Sequence, residues 1–113
     1  MFLIVAKYLI PKGFIGLTVF PFVFVKNAFD KANAFFINHE KIHLRQQLEL
    51  LIFPFFIWYA LEFVFRLFQY RNGYLAYKNI CFEREAYDNE SNLNYLESRK
   101  LFKFTDYLTV KTQ

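Results

Sequence analysis

The residues that could do chemistry are concentrated in one short segment, His39-Glu40-Lys41-Ile42-His43. It contains both histidines of the 113-residue chain. On a helix, side chains four residues apart lie on one face, so both imidazoles could bind the same metal ion. Glu40 would lie about 100° around the helix from His39, where its carboxylate could deprotonate a water molecule. This H-E-x-x-H spacing is typical of a zinc hydrolase, usually a peptidase.

A third protein ligand is needed to complete a catalytic zinc site, and the chain has no third histidine. The best candidates are carboxylates in the later segment Phe82-Glu83-Arg84-Glu85-Ala86. Glu83 and Glu85 are about 200° apart on a helix, so only one of them can face the metal. The small Ala86 lies on the Glu83 face and would let the two helices approach closely. With that face inward, Glu85 would point to solvent or pair elsewhere.

Together the two segments resemble the gluzincins, zinc peptidases in which H-E-x-x-H is followed several tens of residues later by E-x-x-A-D on a second helix. Here the second motif reads Glu83-Arg84-Glu85-Ala86-Tyr87. The continuation Leu44-Arg45-Gln46-Gln47, with an apolar helix between the motifs, looks most like the BlaR/MecR-type membrane peptidases. The resemblance covers residues 35–90.

The resemblance implies a Zn²⁺ site in which Glu40 is the general base and the ligands are His39, His43 and Glu83. In the family, an aspartate four residues after the ligand glutamate orients a zinc histidine. Tyr87 occupies that position here. A phenol oxygen can accept the imidazole N–H, but it supplies no negative charge, which would weaken the basicity of the ligand.

The implied reaction is hydrolysis of a peptide bond in a peptide or protein substrate, with zinc activating the water and Glu40 moving its proton. A hydrogen-bond donor for the developing oxyanion is also needed, and the candidates are Tyr70, Tyr74, Tyr77 and Tyr95. Two other functions stay open. One is a catalytically weak or inactive zinc-binding structural or regulatory protein. The other is a helical membrane protein with an accidental motif, in which Glu83 would lie far from the histidines.

The composition narrows the classes of partner. The formal net charge is +4 and the basic residues are scattered, so no nucleic-acid-binding surface is expected. The single Cys81 excludes an intrachain disulfide and a cysteine-type zinc motif, and we expect it to act as a small apolar residue. Apolar residues make up 56% of the chain and aromatic residues 23%. That richness favours either contact with lipid or an AT-rich genome.

The scaffold predicted for these residues is a single α+β domain over residues 1–113. We expect a mostly helical, minimal zincin-like fold with an N-terminal β-hairpin or edge strand and about three helices. Segments 2–10 and 14–25 predict the hairpin, with a turn at 11–13. Pro21 cannot donate to a sheet, so it places its strand at an edge or splits it in two. An edge strand beside the motif helix would suit an extended peptide substrate.

The first predicted helix, about residues 32–52, carries the motif. Asp30 or Asn33 is the candidate N-cap, and Pro54 either ends this helix or begins the next at its first turn. Three- and four-residue spacing predicts an inward-facing stripe along this helix. Its members are Ala32, Phe35, Phe36, His39, His43, Gln46 and Leu50.

The second predicted helix, about residues 55–70, is apolar almost all round. Its charged pair, Glu62 and Arg66, is spaced four apart as a helix ion pair. A helix this apolar is either the central core helix or partly in lipid. The uncharged runs 14–25 and 50–61 are each too short to span the hydrocarbon of a bilayer. A membrane surface or a membrane-protein partner therefore stays open.

The third predicted helix, about residues 80–100, would begin after the candidate cap Asn79. Its core-facing residues are predicted to be Phe82, Ala86, Leu93 and Leu96. It must pack against the motif helix if Glu83 is to meet the two histidines.

Overall fold

The computed structural model describes residues 2–6, 8, 10, 16–27 and 33–108. The described chain has an α+β fold, as the sequence predicts. Its strands are β1 (Phe2–Val5), β2 (Gly16–Val19) and β3 (Phe22–Val25). Its helices are α1 (Ala34–Glu49), α2 (Phe53–Tyr70), α3 (Gly73–Lys78), α4 (Cys81–Asn89) and α5 (Tyr95–Ser98), followed by a 3₁₀ turn at Lys103–Tyr107.

The sheet has the strand order β1-β3-β2. β2 and β3 form a tight antiparallel hairpin in which Val19 pairs with Phe22, while β1 runs parallel to β3. The predicted pairing of 2–10 with 14–25 as a hairpin is therefore wrong, because the second segment folds back on itself at Pro21. That proline has no N–H for a ladder, and the expectation that it splits the strand is confirmed. The predicted turn at 11–13 lies outside the described residues.

The two faces of the sheet differ, as the two-residue period of a strand requires. Val23 and Val25 are fully buried and pack against Phe36 and Leu44 of α1. The alternate residues Phe22 and Phe24 lie on the other face, where Phe22 is exposed and Phe24 is only partly buried. The sheet therefore rests on the helix that carries the H-E-x-x-H motif.

α1 begins where a polar cap supplies a hydrogen bond to its first turn. The Asn33 Oδ1 atom accepts from the Phe36 N–H at 3.1 Å, which confirms one of the two candidate caps. The other, Asp30, lies outside the described residues. The predicted inward stripe is confirmed at Phe36, at both histidines and at Gln46, all of which are buried. Phe35 is instead half exposed.

α2 follows α1 after a sharp bend. Leu51 and Ile52 have positive φ angles of 61° and 65°, and the Ile52 N–H donates to the Gln47 carbonyl at 2.6 Å. Pro54 lies in the first turn of α2, where its missing N–H is tolerated, so it begins the second helix. None of the described helices is by itself long and apolar enough to cross a membrane. α1 and α2 satisfy that requirement only as a pair, bent by 111°.

The inner face of α2 helps to form the main aromatic core. Phe55 packs with Phe82 and Phe104 in a buried cluster that includes Cys81, as expected for a small apolar residue. The predicted ion pair is present: Arg66 Nη2 lies 3.3 Å from Glu62 Oε2, and both side chains are buried. The large apolar side chains exposed along α2 are Phe53, Ile57, Leu61, Val64, Phe65, Leu67 and Phe68. We call this set the outer face of α2.

The predicted helix 80–100 is wrong in its extent. α4 ends at Asn89, a turn follows, and α5 begins at Tyr95. Asn38 of α1 explains the break, because its Nδ2 atom donates to backbone carbonyls of this turn, including Glu90 O at 2.8 Å and Asn92 O at 2.9 Å. These carbonyls serve a tertiary contact instead of continuing the helix.

Several boundaries near α4 also differ from expectation. Asn79 ends α3, with its N–H donating to the Leu75 carbonyl at 3.1 Å, and Ile80 is the residue that precedes α4. α3 was not predicted. Phe82 and Ala86 are buried as expected. Leu93 is exposed, and Tyr95 takes a buried position in its place.

Candidate metal centre

Three side chains from α1 and α4 converge on one point. His39 Nε2 and His43 Nε2 are 3.2 Å apart, and Glu83 Oε1 lies 3.3 Å from the first and 3.1 Å from the second. All three residues are buried, each about 5–6% exposed. The structure thus brings together the three residues that the resemblance implied as ligands. The reading that required Glu83 far from the histidines does not fit this geometry.

The spacing of these atoms fits a tetrahedral ion. Zinc binds imidazole nitrogen and carboxylate oxygen at about 2.0–2.1 Å, so two ligand atoms at tetrahedral angles lie about 3.3 Å apart. The three observed distances, 3.1 to 3.3 Å, match that edge. Two neutral imidazoles and one carboxylate are also a known donor set for catalytic zinc.

Hydrogen bonds on the far side of each ring assign the imidazole protons. Gln46 donates through Nε2 to the Phe82 carbonyl and to Glu85 Oε1, so its Oε1 faces His43 Nδ1, at 2.8 Å, as an acceptor. Glu90 Oε1, a carboxylate acceptor, lies 2.8 Å from His39 Nδ1. Both Nδ1 atoms therefore carry hydrogen.

With both rings neutral, as metal ligands are, their Nε2 lone pairs point at Glu83 Oε1. Three such atoms facing one another in a buried site need a shared positive charge, which is a proton on His43 in the metal-free protein or a metal ion that replaces it. This is the observation by which the residues fit a divalent metal.

The electrostatics of the site are dominated by Glu83. Burial acts to lower the pKa of His43, but the Glu83 carboxylate, charged and hydrogen-bonded to the ring, raises it to about 9. Burial conversely acts to raise the pKa of Glu83, but His43 and His39 hold it well below its usual range. The carboxylate is therefore charged and is available to a cation.

Glu40 lies beside this group without being one of the three converging residues. It is buried, and its Oε2 accepts a hydrogen bond from the Thr18 hydroxyl of β2. Gly16, also on β2, approaches it so closely that a Cβ there would overlap the Phe36 ring and lie 3.1 Å from Glu40 Oε1. β2 is an edge strand of the described sheet, so an edge does lie beside the motif helix.

Gln47 secures β2 against α1. Its Nε2 donates to the Thr18 carbonyl at 2.7 Å, and its Oε1 accepts from the Phe20 N–H at 2.6 Å. The Thr18 carbonyl of β2, the strand next to Glu40, therefore already accepts a hydrogen bond from the Gln47 side chain.

Aromatic residues surround the candidate ligands. The Tyr59 hydroxyl of α2 donates to Glu83 Oε2 at 2.7 Å, which leaves Oε1 for the histidines. The Tyr87 ring meets the His39 ring edge-on at 4.5 Å, and its hydroxyl lies 2.8 Å from that of Tyr77. Tyr87 therefore contacts His39 through its ring, and not through the phenol oxygen that was expected to accept the imidazole N–H. The carboxylate Glu90 is the acceptor at Nδ1.

The four candidate oxyanion donors occupy different places. Tyr77 is joined to the site through Tyr87. The Tyr95 hydroxyl donates to Glu85 at 2.6 Å, away from the metal ligands. Tyr74 is mostly exposed on α3, and Tyr70 is the last residue of α2.

Glu85 belongs to a buried charged cluster behind His43. Arg99 donates to Glu85 and, through Nη1 at 2.7 Å, to Glu49 Oε2. These three side chains are almost wholly buried. Glu85 thus pairs elsewhere, one of the two outcomes expected with Glu83 facing inward. Gln46 links this cluster to His43.

Sequence reasoning missed several residues of this site, namely Thr18, Gln46, Tyr59 and Glu90. The residues on α1 and α4 had a usable signal, because Gln46 is three residues after His43 and Glu90 shares the helix face of Glu83. Thr18 and Tyr59 reach the site only through tertiary packing.

Comparison with known proteins adds no relative: no family model matches the chain, and neither does any curated protein or solved structure.

Proposed function

We propose that the protein is a zinc-dependent metallopeptidase of gluzincin type. The observation that carries this proposal is the convergence of His39 Nε2, His43 Nε2 and Glu83 Oε1 in one buried group, with the Glu40 carboxylate beside them. Zinc has four positions in a catalytic site, and three protein ligands leave the fourth for water or substrate. Peptide and protein substrates are the expected partners.

In the proposed reaction, bound zinc would polarise the peptide carbonyl and acidify a water molecule. Glu40 takes one proton from the attacking water and later delivers it to the leaving amine nitrogen. The new C–O bond forms first and the C–N bond then breaks; the second proton of the water also passes to the leaving nitrogen, so the products are a carboxylate and an ammonium group. Thr18 holds Glu40 by donating its hydroxyl to one carboxylate oxygen.

Two further elements support this function. Tyr77 and Tyr87 share a hydroxyl hydrogen bond beside His39, which makes Tyr77 the best placed of the four candidate oxyanion donors. β2 is an edge strand beside Glu40, and an extended peptide that paired along all of it would displace Gln47 from the Thr18 carbonyl.

The metal assignment is tested by the zinc content of the purified protein and two variants. Glu83→Gln removes the charged ligand, and we expect its zinc content to fall from about one ion per chain to a small fraction. The control is Glu97→Gln on α5, because Glu97 is exposed whereas Glu85 is buried against Arg99. Full zinc content in Glu83→Gln would contradict the site.

The catalytic assignment is tested by Glu40→Gln with a mixture of quenched fluorescent peptides. We expect this variant to keep its zinc and to lose cleavage by at least about 100-fold, the contribution typical of a general base. Wild-type protein that binds zinc but cleaves no peptide in the mixture would count against the peptidase.

That second result would favour the alternative function, a zinc-binding structural or regulatory protein without turnover. The observation behind this alternative is the burial of the ligands, each only about 5–6% exposed. In that case zinc would raise the stability of the wild type and leave that of Glu83→Gln unchanged.

A membrane surface is the second partner that we propose, through the outer face of α2. Seven large apolar side chains are exposed along this helix, and its two charged residues, Glu62 and Arg66, are buried against each other. Protein interfaces need hydrogen-bonding groups at their rim, whereas lipid does not. The net charge of +4 also favours an anionic surface.

The membrane proposal is tested by flotation with anionic phospholipid vesicles. We expect the wild type to float and the double variant Phe65→Ser/Phe68→Ser to stay in the soluble fraction. Leu93→Ser, at an exposed apolar residue after α4, is the matched control. Equal flotation of all three proteins, or none, would contradict the proposal, and concentration-dependent dimers lost in the double variant would indicate a second copy instead.

A further inference from the structure

One charge expected beside the metal is absent from its usual position. In the gluzincin pattern an aspartate lies four residues after the ligand glutamate, and this chain has Tyr87 there. The tyrosine contacts His39 through its ring, and its hydroxyl forms a hydrogen bond with the hydroxyl of Tyr77. Position 87 therefore supplies neither a charge nor an acceptor to the imidazole Nδ1.

Glu90 occupies the place that this charge would take. It lies three residues after Tyr87, about one helical turn along the same face of α4. Its φ and ψ angles of −63° and −29° continue the helical geometry past the last residue of α4, so its side chain points the same way as that of Glu83. The Glu90 Oε1 atom lies 2.8 Å from His39 Nδ1.

The backbone around Glu90 is held from the motif helix itself. Asn38, the residue before His39, is buried and donates to the Glu90 carbonyl at 2.8 Å and to the Asn92 carbonyl at 2.9 Å. The same stretch of α1 thus presents the imidazole and fixes the turn that carries its acceptor. This anchoring lets a side chain that is one-third exposed keep a defined position.

We propose that Glu90 is the positioning carboxylate of the metal centre and replaces residue 87 by a shift of one helical turn. Accepting the Nδ1–H fixes the tautomer of His39 and turns its Nε2 lone pair towards Glu83. The negative charge makes that lone pair a stronger donor to a cation. His43 has only the neutral amide of Gln46 at the equivalent place, so the two histidines are not equivalent ligands.

This inference rests on the proposed metal site. Its test removes the negative charge of residue 90 while it keeps the size of the side chain. Glu90→Gln keeps an oxygen that can accept the Nδ1–H but removes the charge. We expect it to weaken zinc binding about 10-fold or more, as measured by competition with a chelating dye. Asp88→Asn is the control, because it removes the same charge from an exposed position of α4 and should change zinc affinity less than about twofold.

A second readout does not depend on zinc. The chain has only two histidines, so ¹⁵N-labelled histidine gives two ring systems to follow by NMR in the metal-free protein. We expect the His39 Nδ1–H signal to be altered in Glu90→Ala and preserved in Asp88→Asn. Such a result would support the contact even if the wild type bound no zinc, which would overturn the proposed function instead.

Two outcomes would overturn the role of Glu90. If Glu90→Gln binds zinc as tightly as the wild type while Glu90→Ala does not, the residue provides only a hydrogen bond and its charge is irrelevant. If both variants bind as Asp88→Asn does, Glu90 does not position the ligand. The cobalt-substituted protein gives a check on geometry, since its visible absorption should shift in Glu90→Gln and not in Asp88→Asn.

Discussion

Two regions of this small fold, the contact between α1 and α4 and the outer face of α2, differ in the kind of side chain that they bury. Where α1 meets α4, ionisable and amide side chains are buried, and each described one has polar partners, from Glu83 with its histidines and Tyr59 to Glu85 with Arg99. On the outer face of α2, large apolar side chains are exposed. Burying charges and exposing apolar groups both oppose folding stability. Both arrangements therefore point to functions, one to an ion and the other to an apolar surface.

The largest effect is expected from breaking the charged cluster behind the site. Arg99→Ala would leave Glu85 and Glu49 buried without their cation, at a cost of about 3–5 kcal/mol in the free energy of unfolding. Urea denaturation of the metal-free protein measures it. A cost below about 1 kcal/mol would show that the polar side does not depend on this pairing.

Tyr59 connects the two sides, because it lies on the inner face of α2 and donates to Glu83. Tyr59→Phe removes one hydrogen bond to a charged group and should cost about 1.5–3 kcal/mol. Zinc should offset part of this loss, since a bound cation also stabilises the carboxylate. If Tyr59→Phe lowers the stability to thermal unfolding by the same amount with and without zinc, Glu83 is not a ligand.

The close approach of β2 to Glu40 gives a third test. Gly16→Ala would place a methyl group against the Phe36 ring, and overpacking of this kind costs about 1–3 kcal/mol. We also expect slower peptide cleavage, because the added group lies next to Glu40 Oε1. Unchanged stability and unchanged turnover would show that β2 does not pack as described. Gly73→Ala is the control, since its added Cβ meets nothing within 4 Å.

The smallest effect is expected on the outer face of α2. Phe68 is 79% exposed, so Phe68→Ser should change the free energy of unfolding by no more than about 0.5 kcal/mol. A Phe82→Ala variant in the aromatic core should cost about 3–5 kcal/mol in the same assay. A large loss in Phe68→Ser would mean that the outer face is buried in solution, and the contrast between the two sides would then fail.

Local signals in the sequence predicted much of this structure. The three-residue gap between the histidines, the cap at Asn33 and the four-residue spacing of Glu62 and Arg66 all act within one or two helical turns. Helix geometry alone brings such residues together. Choosing Glu83 over Glu85 also followed from helix geometry, once one face was required to meet the motif.

Features made by distant contacts were not predictable in the same way. β1 pairs with β3 and not with its neighbour in sequence, and the helix predicted over 80–100 breaks because Asn38 binds its carbonyls. Glu90 keeps helical geometry just before that break, and its contact with His39 depends on how α4 packs against α1. Each of these depends on which segments pack together, which periodicity and capping do not specify.

Because the chain bends between α1 and α2, the segment that joins the candidate ligands His43 and Glu83 forms a loop whose two ends meet at the site. His43 and Glu83 are 40 residues apart, and the intervening segment contains all of α2 and α3. An ion held by both would act as a removable cross-link. A covalent link around a loop of that length lowers the entropy of the unfolded chain by the equivalent of about 4 kcal/mol. Metal release would therefore lower the free energy of unfolding of the protein, including α2 with its exposed apolar face.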